Sequence, residues 1–168
     1  MRHLLLSILF LLTILPAKAQ KGLYVNEIFE GDIVKKTYMV DNLIKGEQLK
    51  PYKLTFFRSI KFKASEEERR KIEELVNKDL KKAIDLEQER QGENDKVKED
   101  GKIHVLQSPL SYAMMTLEPS EKAKPDGASR WYLCYQCTPF KTNEYAITLV
   151  FMKGNATINE LRKMFKKN

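Results

Sequence analysis

Cys134 and Cys137 form a C-x-x-C, the spacing in this sequence that most suggests chemistry. Thiol–disulfide enzymes place such a pair at the start of a helix, where the dipole lowers the first thiol's pKa. Here Trp131-Tyr132-Leu133 lead in and Tyr135-Gln136 lie between, all strand formers, and no helical pattern follows until Thr157. The βαβ setting of a redox motif is missing. In a regular strand, residues i and i+3 point to opposite faces about 10 Å apart, given a rise of about 3.3 Å per residue. A disulfide needs Cα atoms within about 7 Å, so the pair closes only if the strand bulges or turns near Thr138-Pro139. Cys134 and Cys137 are a candidate disulfide or redox pair, with a structural role as the plainer reading.

Other chemistries have less to work with. A zinc site wants four ligands in paired spacings, and beyond the thiols the chain after its first residues offers only His104. No metal site and no cofactor are expected. G-x-S-x-G is absent, and a serine triad would rest on His104 alone. Asp and Glu number 23, so paired carboxylates acting on an envelope polymer stay open as an alternative. No residue is assigned a catalytic role. The surface that invites a ligand is a basic row, Lys53, Lys61 and Lys63, with Phe57 among them. An aromatic ring between cations can stack a sugar or base and hold an anion. The plainer reading of the same row is a lysine-decorated strand face that resists edge-to-edge association.

These residues need elements to position them. The chain opens with a basic Met1-Arg2, an apolar run over 4–15, and the small-x-small pattern Ala17-Lys18-Ala19. That is the layout of a cleaved signal peptide over 1–19; the run falls short of the roughly 20 apolar residues of a membrane span. With no cysteine near the cut, a lipid anchor is not expected. Residues 20–168 are then one domain, exported to the periplasm or beyond, with no membrane span. The formal charge of +7 becomes +5 without Arg2 and Lys18. Such a balance suits an anionic surface polymer or simply keeps the protein soluble; nucleic acid is not expected.

Residues 23–30 read as a strand, with Gly31-Asp32 as a turn. Residues 33–44 read as a second, partly irregular extended segment. From 53 to 63, Leu54, Phe56, Ile60 and Phe62 alternate with polar residues, Arg58 being the exception on the apolar face. At Ser65 the period changes: Ser65 with Glu68 is a capping box, and Ile72, Leu75, Val76, Leu80, Ala83 and Ile84 form an apolar stripe. The spacing predicts a helix over 65–91, its other face solvated Lys and Glu. The charged stretch near 92–102 reads as an exposed, mobile loop. Strands are expected over 103–107 and 110–117, then a turn-rich connection over 118–129.

Residues 130–137 and 144–153 alternate aromatic and β-branched residues on both sides, with a turn around 139–143. A hairpin apolar on both faces belongs at the middle of a sheet or under a partner. Thr157 and Glu160 form a second capping box for a helix over 157–167, with Ile158, Leu161 and Phe165 inward; the sequon Asn155-Ala156-Thr157 coincides with that cap. The fold class is α+β: a mainly antiparallel sheet of five to seven strands, with one long and one short C-terminal helix packed on it.

The blocks LKPYKLTFFRS (49–59) and TLVFMKG (148–154), the latter running into ATINEL (156–161), carry a resemblance. With the export signal, the chain resembles a family of small exported proteins of unknown function from Bacteroides-type Gram-negative bacteria. The resemblance covers nearly all of the chain after the leader and implies a setting, not a chemistry. The expected function is a non-enzymatic envelope or secreted module that binds a protein or an anionic surface polymer. A thiol–disulfide enzyme and a polymer hydrolase are the alternatives.

Overall fold

A computed structural model describes residues 22–92, 110–117 and 130–165. The signal-peptide reading, His104, the charged loop near 92–102, the strand over 103–107 and the connection over 118–129 fall largely or wholly outside them. Five antiparallel strands, β1 (Val40–Lys45), β2 (Leu54–Ser65), β3 (Tyr112–Leu117), β4 (Arg130–Lys141) and β5 (Glu144–Gly154), lie in the order β1-β2-β5-β4-β3. The terminal hairpin thus supplies the central strand, β5, and its neighbour, as its two-sided apolar pattern requires.

Each face of the sheet carries its own core. The long helix α2 (Glu66–Gly92) covers Ile60, Phe62, Leu133, Tyr135, Leu149 and Phe151. It begins as the capping box demands: Glu68 accepts from the Ser65 amide at 2.8 Å, and the Glu68 amide donates to Ser65 Oγ at 3.3 Å. It is a mid-chain element, so the one C-terminal helix is short, α3 (Ile158–Phe165). That helix covers the opposite face, where Tyr132, Val150 and Met152 are buried. These three are therefore no exposed patch for a partner; the chain's own helix takes that place.

Three readings of local structure are corrected. Residues 23–30 hold no strand but a short helix, α1 (Asn26–Glu30). Leu23 and Val25 alternate, but Ile28 and Phe29 are both fully buried in the same α2-side core, which neighbouring residues of a regular strand, pointing to opposite faces, cannot do. Gly31 at φ +90° ends the helix, its amide donating to Ile28 O and the Asp32 amide to Glu27 O, the paired bonds of a left-handed helix stop. Next, β4 continues to Lys141, so the turn is only Thr142-Asn143, and Pro139 falls at a bulge, where a strand tolerates a missing donor. Last, a register shift between Leu54 and Phe56 turns Leu54 to the α3 side while Phe56 faces α2. One strand so contributes to both cores.

Helix α2 also departs from the solvated face expected of it. Arg69, Glu73 and Asp79 are buried. Asp79 accepts from the amides of Tyr24 and Val25 at 3.0 and 2.9 Å and so fastens the start of the described chain to the helix. Burial outweighs those two hydrogen bonds and raises the Asp79 pKa.

Candidate functional site

The concave apolar site lies at the β1 edge of the α3 face. It forms because the chain doubles back twice. After β1, Gly46 at φ +85° starts a 3-10 turn, Glu47–Tyr52, that lays Leu49 and Tyr52 beside the sheet. After β5, the chain turns through Gly154 into α3, which brings Leu161, Met164 and Phe165 over the same strip. Between turn and helix, Ile44 of β1, Phe57 of β2 and Met152 of β5 make the floor of a cleft of about 200 Å³.

The position of α3 is tightly held. A Cβ at Gly154 would stand 2.3 Å from the Lys53 carbonyl oxygen, so glycine lets the two backbones meet. That carbonyl accepts the Asn155 amide at 2.8 Å, and the Tyr132 hydroxyl donates to the Ala156 carbonyl. The Glu160 carboxylate accepts from the Thr157 amide at 2.7 Å through one oxygen and from Lys53 Nζ at 2.6 Å through the other. The Lys53 hydrogen bond, then those from Thr157, lower its pKa to about 2.

The four residues of the basic row part company. Phe57 is half-buried in the cleft floor, not an outward stacking platform. Lys53 is a clamp: its side chain is engaged by Glu160 and its carbonyl by Asn155. Lys63 stands over the Phe140 ring at 4.0 Å, and Lys61 is exposed. The bulge at Leu54 and the return of α3 gather Phe57 with Met152 and Met164, and no local pattern announces either. A signal existed in Met164-Phe165, an apolar pair widening the stripe of an eight-residue helix.

Cys134 and Cys137 are both free and both buried, one in each core, with the sheet between them. This arrangement does not bridge them. Burial, only partly opposed by a hydrogen bond with Tyr112, pushes the Cys134 thiol up to about 11, and burial also raises Cys137. Redox chemistry needs the opposite shift and an open approach. Two carboxylates do come close, Glu66 and Glu73, with Arg69 bonded to both and its guanidinium 4.9 Å over the Tyr145 ring. Glu73 further accepts the Leu110 amide at 3.2 Å and the Tyr135 hydroxyl at 3.4 Å. The Arg69 hydrogen bond lowers Glu66 to about 2, whereas a glycosidase acid needs its pKa raised. Among the described residues, no three His, Cys, Asp or Glu side chains gather as metal ligands would.

Residues 12–165 match the family described as "Family of unknown function (DUF6108)". The chain belongs to that family. No curated protein and no solved structure matches it.

Two further features of this DUF6108 chain lie on the α2 side. Lys153 is half-buried, its ammonium 4.2 Å over the Trp131 ring, and desolvation lowers its pKa. Trp131 Nε1 beside it has no hydrogen-bond partner, but it is sealed from solvent and offers a ligand no approach. An open groove runs along α2 past Glu73, Glu74 and Lys78, but the groove's carboxylates already hold Arg69 and Lys78. Among the described residues, no helix is long and apolar enough to cross a membrane.

Proposed function

We propose that the protein is an exported, non-enzymatic binding module whose cleft between the 3-10 turn and α3 receives an apolar side chain of a partner protein in the envelope or outside the cell. The observation that carries this reading is the cleft itself: about 200 Å³, walled by aliphatic, aromatic and thioether side chains. An apolar cavity of about 150 Å³ accepts a guest the size of benzene, so the space suits one leucine or phenyl group. A rigid frame backs it, since α3 is pinned at Gly154, Tyr132 and Lys53. The methionines, Met152 and Met164, adapt to differently shaped guests. Among the described residues the two thiols are buried in separate cores and the neighbouring carboxylates Glu66 and Glu73 are already bonded to Arg69, so neither set lends catalysis support. The export signal over 1–19 supports the envelope setting. An anionic polymer is the weaker partner, because an apolar cleft does not reward it.

A photo-crosslinking residue at Tyr52, exposed on the cleft rim, tests the reading in cells. A discrete covalent adduct that disappears with Met164→Glu is the expected result. An adduct pattern unchanged by Met164→Glu, or no adduct, overturns it.

A further inference from the structure

We infer that the partner is an extended peptide strand, acidic at both ends, that adds to the outer edge of β1 and drops an apolar side chain into the cleft. The inference rests on the binding-module reading and names the partner's form. The edge comes first. β1 pairs with β2 on one side, and among the described residues no strand pairs its other side. Five of its six residues are exposed, with Val40 at 62% and Leu43 at 47%. An unpaired row of N–H and C=O groups is a template for another strand. The usual protections are thin here: no proline and no bulge interrupts the strand, and a lysine stands only at its end.

Register connects edge to cleft. Ile44 lies opposite Phe57, so both face the α3 side, and both border the cleft. A strand added outside β1 would place the residue opposite Ile44 on that same face, with its Cβ about 5 Å away. Main-chain hydrogen bonds would then supply general affinity, and the cleft a preference for one apolar side chain.

Charge selects the rest. Asp41 is engaged by Arg58, Glu47 by Lys50, and Glu160 by Lys53. Of the cations in β1 and in the stretch of β2 paired with it, Lys45 at one end of β1 and Lys61, opposite Val40 at the other, are exposed and outside any ion pair, Lys45 Nζ resting 5.5 Å over the Phe56 ring. They face opposite sides of the sheet, as acids at positions one and six of a six-residue strand would. In antiparallel pairing, position one lies against Lys45, position two against Ile44, and position six against Val40 with Lys61 beyond it. The matching pattern is acid, large apolar, any three, acid. In this chain the pattern occurs at Glu27–Asp32 and Glu74–Asp79, but Ile28 in α1 and Leu75 in α2 are helical and buried in the core, so a folded second copy does not present it as a strand.

The probe is a twelve-residue fluorescent peptide carrying Glu-Leu-Thr-Val-Thr-Glu at its centre, titrated against the full chain by anisotropy. Saturable binding that weakens with salt is expected, with amide-exchange protection appearing at Val40–Lys45. Lys45→Glu and Lys61→Glu, both at exposed sites, should each weaken it about threefold. Methylating alternate peptide nitrogens should weaken it at least about tenfold. Equal binding of a peptide with lysines at both ends overturns the inference, as does unchanged binding of the methylated peptide. Displacement by heparin to the same extent as by unlabelled peptide makes the face a polyanion site and overturns it too. Concentration-dependent dimerisation abolished by Leu43→Lys assigns the edge to a second copy instead, and likewise overturns it. A Tyr52 adduct with no peptide binding leaves the cleft reading standing and removes only the strand partner; loss of both removes both.

Discussion

Arg58 sits at a core position of β2, 8% exposed, where its neighbours Phe56 and Ile60 are apolar. Its guanidinium is satisfied on three sides: Asp41 at 2.7 Å, the Phe29 carbonyl at 3.1 Å, and the Phe29 ring at 5.2 Å. The residue joins β1 and α1 to the sheet. Arg58→Ala should cost about 2–4 kcal/mol in a denaturant titration, and Arg58→Met measurably less because its stem still packs on Phe29. Equal loss in both would place the energy in the guanidinium's bonds to Asp41 and the Phe29 carbonyl, and none in the packing of its stem. The cysteines lend themselves to a second residue-scale prediction. With the Cys134 thiol raised to about 11 by burial, neither native thiol should react with an aromatic disulfide reagent at pH 8, and both should react once the chain is unfolded. Since the folded value lies above the ordinary 9, the Cys134 contribution to stability is present below pH 9 and fades between 9 and 11. Fast reaction of one native thiol would reverse this assignment. The alternation around Cys134 and Cys137 made their opposite faces readable from sequence. The partners of Arg58 were not, because Asp41 and Phe29 reach it only through tertiary contact.

At the scale of elements, α3 is the part that makes the cleft, and its attachment depends on pH. Glu160 is held at about 2 against an ordinary 4.5. A carboxylate depressed in this way stabilises fully above about pH 4.5 and loses its contribution as pH falls toward 2. Acid should therefore loosen the attachment of α3, seen as binding of an apolar dye between pH 4.5 and 2. Glu160→Gln should shift that dye response to neutral pH and flatten it; an acid response unchanged in the variant would show that α3 is held by other means. Gly154 marks the other end of the attachment. A Cβ there meets the Lys53 carbonyl at 2.3 Å and Leu54 Cα at 2.6 Å, both backbone. Gly154→Ala should accordingly cost several kcal/mol, on the order of 3, and lower the melting temperature of the whole chain. Both capping boxes were legible because their partners lie three residues apart. The clamp from Lys53 to Glu160 spans 107 residues, beyond any local pattern.

At the scale of the molecule, the sheet separates two cores that share its strands, and the start of the described chain joins only one of them. Leu23, Val25, Ile28 and Phe29 pack on the α2 side, tied there by the Asp79 carboxylate. Asp79→Ala should leave the Val25 amide buried without a partner, at about 1–3 kcal/mol. Hydrogen exchange should then rise at Tyr24 and Val25 well above its rise in β5; a uniform increase would mean that the segment does not open on its own. The sequence alone determined what depends on neighbours within a turn or on period: the two-sided hairpin, the helix starts at Ser65 and Thr157, and the apolar stripe of α2. Period reports which side of an element is apolar, and caps report where a helix begins. Tertiary structure decided that α3 covers Tyr132 and Met152, that Leu54 turns away from Phe56, and that Lys53 is a clamp. It also decided that an apolar cleft opens beside β1. Those outcomes turn on distances between segments far apart in the chain, and no local spacing encodes such a distance.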